Sequence, residues 1–215
     1  MVPILATLTV LLVLGGWQVY QVATEETPVS ASDPGTDVNA VGTEMEVSIG
    51  DAGRMHFVET ITFPTARSQL DLSVPRRMGA GADFRPVVSS LVVREPGSAE
   101  VKPLGLGDRT TVHLTRSAVT VVLEYDASGV VNRSGDVSTP DRALALVTPL
   151  VVEQARRLPA VVRVSSVKVL NVGCLRGTTL VGCGTETADG WAVESSGSEG
   201  DVLSDVLAQL NLAVP

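Results

Sequence analysis

The sequence predicts an all-β fold, an antiparallel β-sandwich, and three observations carry that expectation. Short runs rich in β-branched residues alternate apolar and polar side chains. Gly, Pro, Asp and Asn punctuate these runs at turn-like intervals. Between residues 44 and 195 no segment has the length and period of a crossover helix, which a parallel sheet ordinarily requires. An apolar segment and a polar linker precede the β region. The organisation is thus a membrane or signal segment over 1–23, an acidic flexible linker over 24–43, and a β-domain over 44–215.

The N-terminal segment, MVPILATLTVLLVLGGWQVYQVA, carries no charged side chain before Glu25. As a helix, residues 2–22 would extend roughly 30 Å, the thickness of a bilayer core. Trp17 and Tyr20 fall at its far end, where amphipathic rings favour the headgroup region. This fits an uncleaved single-pass anchor. A cleaved signal peptide is the alternative, with Ala23 at the cleavage site, although Gln21 departs from the small residue such sites use. A buried soluble helix is the third reading. No Lys or Arg precedes the segment, and Glu25, Glu26, Asp33 and Asp37 all come before the first basic side chain, Arg54. An acidic region of this kind is readily translocated, which places residues 24–215 outside the cytoplasm. Lysine occurs only at Lys102 and Lys168, while Arg, Val, Ala and Gly abound, a bias of GC-rich bacterial genomes. The expected location is therefore a bacterial plasma membrane, or the exterior if the segment is cleaved.

Residues 25–43 combine Pro, Ser, Thr, Asp and Gly without apolar periodicity, the composition of a spacer. From residue 44 the alternation begins. MEVSIG and RMHFVETITF flank a DAG turn and read as a hairpin. QLDLSV and VVSSLVV are further strands, RTTVHLT and AVTVVLEY a further pair, and RALALVTPLVV and LPAVVRVSSVKVLNV supply more β-branched runs. At the end, DVLSDVLAQLNL spaces Val202, Leu203, Val206, Leu207 and Leu210 as one face of a helix, with Asp201 available as N-cap. The expectation there is a short amphipathic C-terminal helix.

The order over MEVSIGDAGRMHFVETITFPTARSQLDLSVPRR is a strand, a short Asp/Gly turn, a strand carrying Glu and Phe, then a Pro-Arg element. It resembles the exported, Ig-like N-terminal domain of bacterial membrane proteins of unknown function, over about residues 44–126. The resemblance implies an Ig-like sandwich tethered on the export side. It brings no active site with it.

Composition narrows the chemistry. Hydrophobic residues are 44% and charged residues 19%, in the range of a folded chain. A formal net charge of -8 provides no general field for nucleic acid. Aromatic residues are 3%, too few for the stacking platforms of sugar or single-strand recognition. There is no HExxH, GxSxG, P-loop or dinucleotide fingerprint, and nothing identifies a cofactor, a metal site or a small-molecule ligand. His56 and His113 are isolated within strands.

A few residues stand out. Glu59 shares strand parity with Met55, Phe57, Ile61 and Phe63, so alternation points it inward; a bulge or twist that turns it out is the expectation, with a buried arginine partner or a functional acid as rivals. PRRMGAGADFRP gathers Arg76, Arg77 and Arg85 beside an exposed Phe84, a loop that could bind carboxylate or phosphate or simply be solvated. Arg156-Arg157 is a second basic pair. Cys174 and Cys183 are the two cysteines of the chain; eight residues separate them, and outside the cytoplasm they read as a disulfide closing a hairpin about Arg176-Gly177, with free thiols or metal or redox duty as alternatives. These features suit a binding or structural module of the envelope, with the membrane and an envelope or membrane protein as partners. Two other readings remain, an accessory subunit docking through residues 2–22 and a carboxylate-dependent hydrolase.

Overall fold

Alternation over the first described residues folds as expected into a hairpin, β1 (Gly42–Ile49) and β2 (Met55–Ser73), paired in register from Gly42↔Thr62 to Ile49↔Met55. The computed structural model describes residues 40–50, 54–95, 109–133, 141–198 and 205–212. The expected membrane segment, 2–22, and all but the end of the 24–43 linker lie outside these residues. No helix among the described residues is long and apolar enough to cross a membrane. The last two residues of the expected linker, Gly42 and Thr43, already belong to β1.

Thirteen further strands follow: β3 (Arg77–Gly79), β4 (Ala82–Phe84), β5 (Val87–Arg94), β6 (Arg109–Ser128), β7 (Val131–Arg133), β8 (Arg142–Leu146), β9 (Val151–Val152), β10 (Ala160–Ser165), β11 (Val169–Arg176), β12 (Thr179–Gly182), β13 (Thr185–Thr187), β14 (Gly190–Ser195) and β15 (Val206–Asn211), with one 3-10 turn at Glu153–Ala155. An 8-stranded sheet runs β13-β14-β10-β1-β2-β6-β5, with β9 also on β2. A 5-stranded sheet runs β12-β11-β15-β8-β7, and β3-β4 is a separate hairpin. Phe57, Phe63 and Leu70 of the larger sheet and Leu146, Val172 and Leu207 of the smaller belong to one continuous buried cluster, so the two sheets share a core.

Three expectations need correction. The larger sheet is mixed, because β1 and β10 run parallel from Thr43↔Ala160 to Ser48↔Ser165. Alternation reports which side chains face inward and is blind to strand direction. The long connection a parallel pair needs is supplied here by the intervening strands, β2, β5, β6 and β9 of the same sheet together with β3, β4, β7 and β8, in place of a helix. Second, RTTVHLT and AVTVVLEY form the single 20-residue strand β6, which pairs with the 19-residue β2 along its length. The register shifts between Thr62 and Gln69 mark bulges that bend the pair without ending it. Pro64, which has no N–H to give a ladder, sits in that irregular stretch.

Third, the C-terminal pattern forms a strand. β15 lies between β11 and β8, paired on both edges. Val206, Leu207, Ala208 and Leu210 are all buried, which a strand covered on both faces requires and a one-faced helix does not. The run is too short to hold a helix against ladder pairing on two sides. Replacing Ala208 separates the two geometries, because a helix would put that position opposite its apolar face. Ala208→Glu should lower unfolding free energy by about 3 kcal/mol or more, the scale of an unpaired buried charge. Urea denaturation checks this, and a near-neutral result would restore the helix.

Candidate functional site

Glu59 points into the core. Its ladder is regular on both sides from Met55 to Thr62, with Met45 of β1 and Leu123 of β6 as its cross-strand neighbours. The expected bulge is real but lies beyond Thr62, too late to turn Glu59 outward. The side chain is 4% exposed, and its Oε2 has no hydrogen-bond partner among the described residues. Burial pushes its pKa from 4.5 up to about 8, so the carboxyl is largely protonated at neutral pH. Tyr125 stands diagonally across the ladder, its ring stacked on Phe57 with centroids 4.8 Å apart. Its hydroxyl is also buried without a partner. Burial first, and the Glu59 charge second, hold that phenol above its usual range.

Beside Glu59 is a cavity of about 80 Å³. β1 contributes Thr43 and Met45, β10 contributes Ala160 and Val162, and β9 contributes Val151 and Val152. Thr148 and Leu150 precede β9, while Ala155, Arg156 and Leu158 close one side and Arg77 another. Glu59 is the only carboxylate in this lining among the described residues. The β1-β10 pair, on the first half of β2, and the short β9 strand, on its far end, both contribute side chains to the cavity lining.

The arginine loop is dispersed. Residues 77–84 form the β3-β4 hairpin, turned through Ala80 and Gly81 with φ of 50° and 77°, the positive pair a tight two-residue hairpin uses. Arg76 donates to Asp83 through Nε at 2.7 Å and Nη2 at 2.5 Å, and Arg85 reaches the same carboxylate at 3.3 Å. The Arg76 hydrogen bonds hold Asp83 below the usual carboxylate range. Arg77 leaves the cluster and forms an ion pair with Asp205, both largely shielded. Phe84, expected to be exposed, is 1% exposed and belongs to the core. The basic cluster is thus neutralised by acids that sequence inspection passed over, and only Arg77 reaches the cavity.

Arg156, the weaker basic pair's first member, also lines the cavity and pairs with Glu153 at 3.2 Å. Thr43, Thr148 and Leu158 carried no sequence signal for a site. His56 bonds Asp126 across β2-β6 at 3.0 Å, away from Glu59 on the opposite strand parity. Cys174 and Cys183 form a disulfide, with Cα atoms 5.7 Å apart. It closes the β11-β12 hairpin, whose turn places Gly177 at φ 63°, the glycine-first pattern of two-residue hairpins. No group of three or more His, Cys, Asp or Glu among the described residues could hold a metal ion.

No protein-family model matches the chain, and no curated protein matches it. Solved structures do. An aminopeptidase N family protein from Idiomarina loihiensis aligns with a TM-score of 0.44 at 13% identity, over 78% of this chain and 29% of that one. The M1 zinc metallopeptidase from Deinococcus radiodurans aligns with a TM-score of 0.40 at 13% identity, over 80% of this chain and 42% of that one. The chain spans less than half the length of either structure. What is similar is a β-rich segment.

The buried acid has a consequence for stability. Unfolded, Glu59 titrates near 4.5; folded, near 8. Below pH 4.5 both states are protonated and stability is highest. Between 4.5 and 8 only the unfolded state releases the proton, so stability falls as pH rises, and above 8 the loss is complete. Glu59→Gln removes that dependence. From pH 5 to 8 the wild type should lose about 3 kcal/mol relative to Glu59→Gln, at about 1.4 kcal/mol per pH unit. Chemical denaturation at several pH values measures this, and parallel curves would contradict it.

Proposed function

We propose that this chain is a membrane-tethered, extracytoplasmic binding module of a bacterial cell envelope. The observation that carries the compartment is the Cys174–Cys183 disulfide, since such bonds persist mainly outside the reducing cytoplasm. The apolar residues 2–22 would be the tether, the 24–43 linker the spacer, and an envelope or membrane protein the neighbour on which the module acts. The two sheets share a core, but all strands of the smaller sheet lie beyond residue 126, so the Ig-like resemblance of residues 44–126 reaches only strands of the larger sheet and the β3-β4 hairpin, and the parallel β1-β10 pair departs from a purely antiparallel sandwich. The cavity beside Glu59 favours binding over a purely structural role. Among the described residues the lining supplies Glu59 and no second acid, so it offers the hydrolase reading no carboxylate pair. An accessory subunit would share the tether and differ in docking through it.

Fractionation of a bacterial host expressing the full chain tests the proposal. The intact chain should sediment with membranes, be cleaved by protease added to spheroplasts, and carry no free thiol. Intact chain in the cytosol with both thiols free would overturn it. Replacing both cysteines by serine should lower stability by roughly 2–3 kcal/mol on the loop-entropy model, measured by denaturation of oxidised protein.

A further inference from the structure

We propose that the cavity beside Glu59 binds a small aliphatic monocarboxylate, with the Glu59 carboxyl group and the Arg77 guanidinium as its hydrogen-bond donors. This rests on the binding-module reading and gives that module a ligand class.

The unpartnered carboxyl is the first observation. Glu59 is buried, lines the cavity, and leaves Oε2 without a partner among the described residues. A buried polar group left unsatisfied is destabilising, and a ligand that engages it removes the penalty. The second observation is charge. Arg77 and Arg156 are the other charged groups of the lining, so with Glu59 protonated the cavity offers donors and no fixed negative charge. Each guanidinium has five N–H donors. The carboxylates already beside them, Asp205 and Glu153, do not exhaust that capacity. Both guanidinium groups are charge-paired, so the preference for an anion rests on their remaining N–H donors and not on net charge.

The remaining observations set the body of the ligand. Met45, Leu150, Val152, Leu158 and Val162 make an aliphatic wall with no aromatic ring in it, which suits an alkyl chain and provides no stacking face. A volume of about 80 Å³ holds roughly six water-sized groups at about 10–15 Å³ each. That is the size of a four-carbon acid such as butyrate, the probe chosen below. The shared chemistry, a carboxylate on a short aliphatic chain, could come from a free acid or from the C-terminal valine of a peptide.

Protonation of Glu59 governs the site. Tyr125 from β6 is its titratable neighbour, and Arg77 from β3 and Arg156 beyond the 3-10 turn line the same cavity; β1, β9 and β10 present Thr43, Met45, Val151, Val152, Ala160 and Val162, none of which titrates. Below its midpoint Glu59 donates its proton to the ligand carboxylate. Above it, two carboxylates repel, and affinity falls by about tenfold per pH unit.

Calorimetric titration of the full chain in detergent with sodium butyrate tests this, with butylammonium, methyl butyrate and a capped peptide ending in valine as comparisons. Saturable binding of butyrate is expected at pH 6, at least tenfold weaker at pH 9. Glu59→Gln keeps a donor that does not titrate and should bind equally at both values. Glu59→Leu keeps the fold and should bind at least tenfold more weakly at pH 6. Tighter binding of the peptide assigns the source to peptide ends, tighter binding of butyrate to a free acid, and both support the site. No saturable binding of either, equal binding of butylammonium or methyl butyrate, or unchanged binding by Glu59→Leu overturns it. Failure here with the chain found in the envelope sinks the ligand assignment alone; binding by a chain found in the cytosol sinks the compartment alone.

Discussion

The pairing of β2 with β6 is the constraint on which the larger sheet depends. It runs from Met55↔Ala127 to Ser73↔Arg109, interrupted only by the bulges between Thr62 and Gln69. One half of β2 carries β1, which carries β10 and β14; the other half carries β9; and β6 carries β5. A break in this pair would remove the common backbone of the 8-stranded sheet and the wall of the cavity together. The bulges let one strand serve both halves, since a twisted ladder of this length cannot stay straight while its two ends pack on different neighbours.

Glu59 sits in the regular half of that ladder, and its burial follows from parity. With Met55, Phe57, Ile61 and Phe63 all required inside, a residue two places from Phe57 has no route to solvent unless the ladder slips, and a one-residue slip would expose the whole apolar set. The strand therefore keeps its register, and the carboxyl responds by holding its proton. Tyr125, fixed by its stacking on Phe57, adds a second polar group to the same dry region. Two unsatisfied polar groups side by side are a stability cost that a purely structural core would avoid. Glu59's place in the lining of a cavity is what turns that cost into an argument for binding.

Strand alternation was legible, because a period of two survives whatever the strands pair with. Met45, Val47, Met55, Phe57, Leu70, Leu72 and Leu123 are buried where alternation puts them. The disulfide hairpin was legible for the same reason, with the glycine turn adding a local signal. Direction and neighbourhood were not. Nothing local tells β1 that β10 will join it in parallel, or tells the 206–211 run that it will pair on both edges and bury Val206, Leu207, Ala208 and Leu210. The cavity was hidden on the same grounds: Arg77, Leu150, Arg156 and Val162 meet only in the folded chain. The arginine loop misled because a cluster of like charges in sequence says nothing of Asp83 between them or of Asp205 far along the chain.

The claim that joins the fold to the site is that Glu59 is a protonated acid inside the core at neutral pH. Carbon-13 NMR of the glutamate carboxyls, with Glu59 assigned by its absence in Glu59→Gln, measures this directly. The account predicts a resonance that titrates with a midpoint near pH 8 while the exposed glutamates titrate several units lower. A Glu59 resonance that moves near pH 4.5 with the others would contradict it.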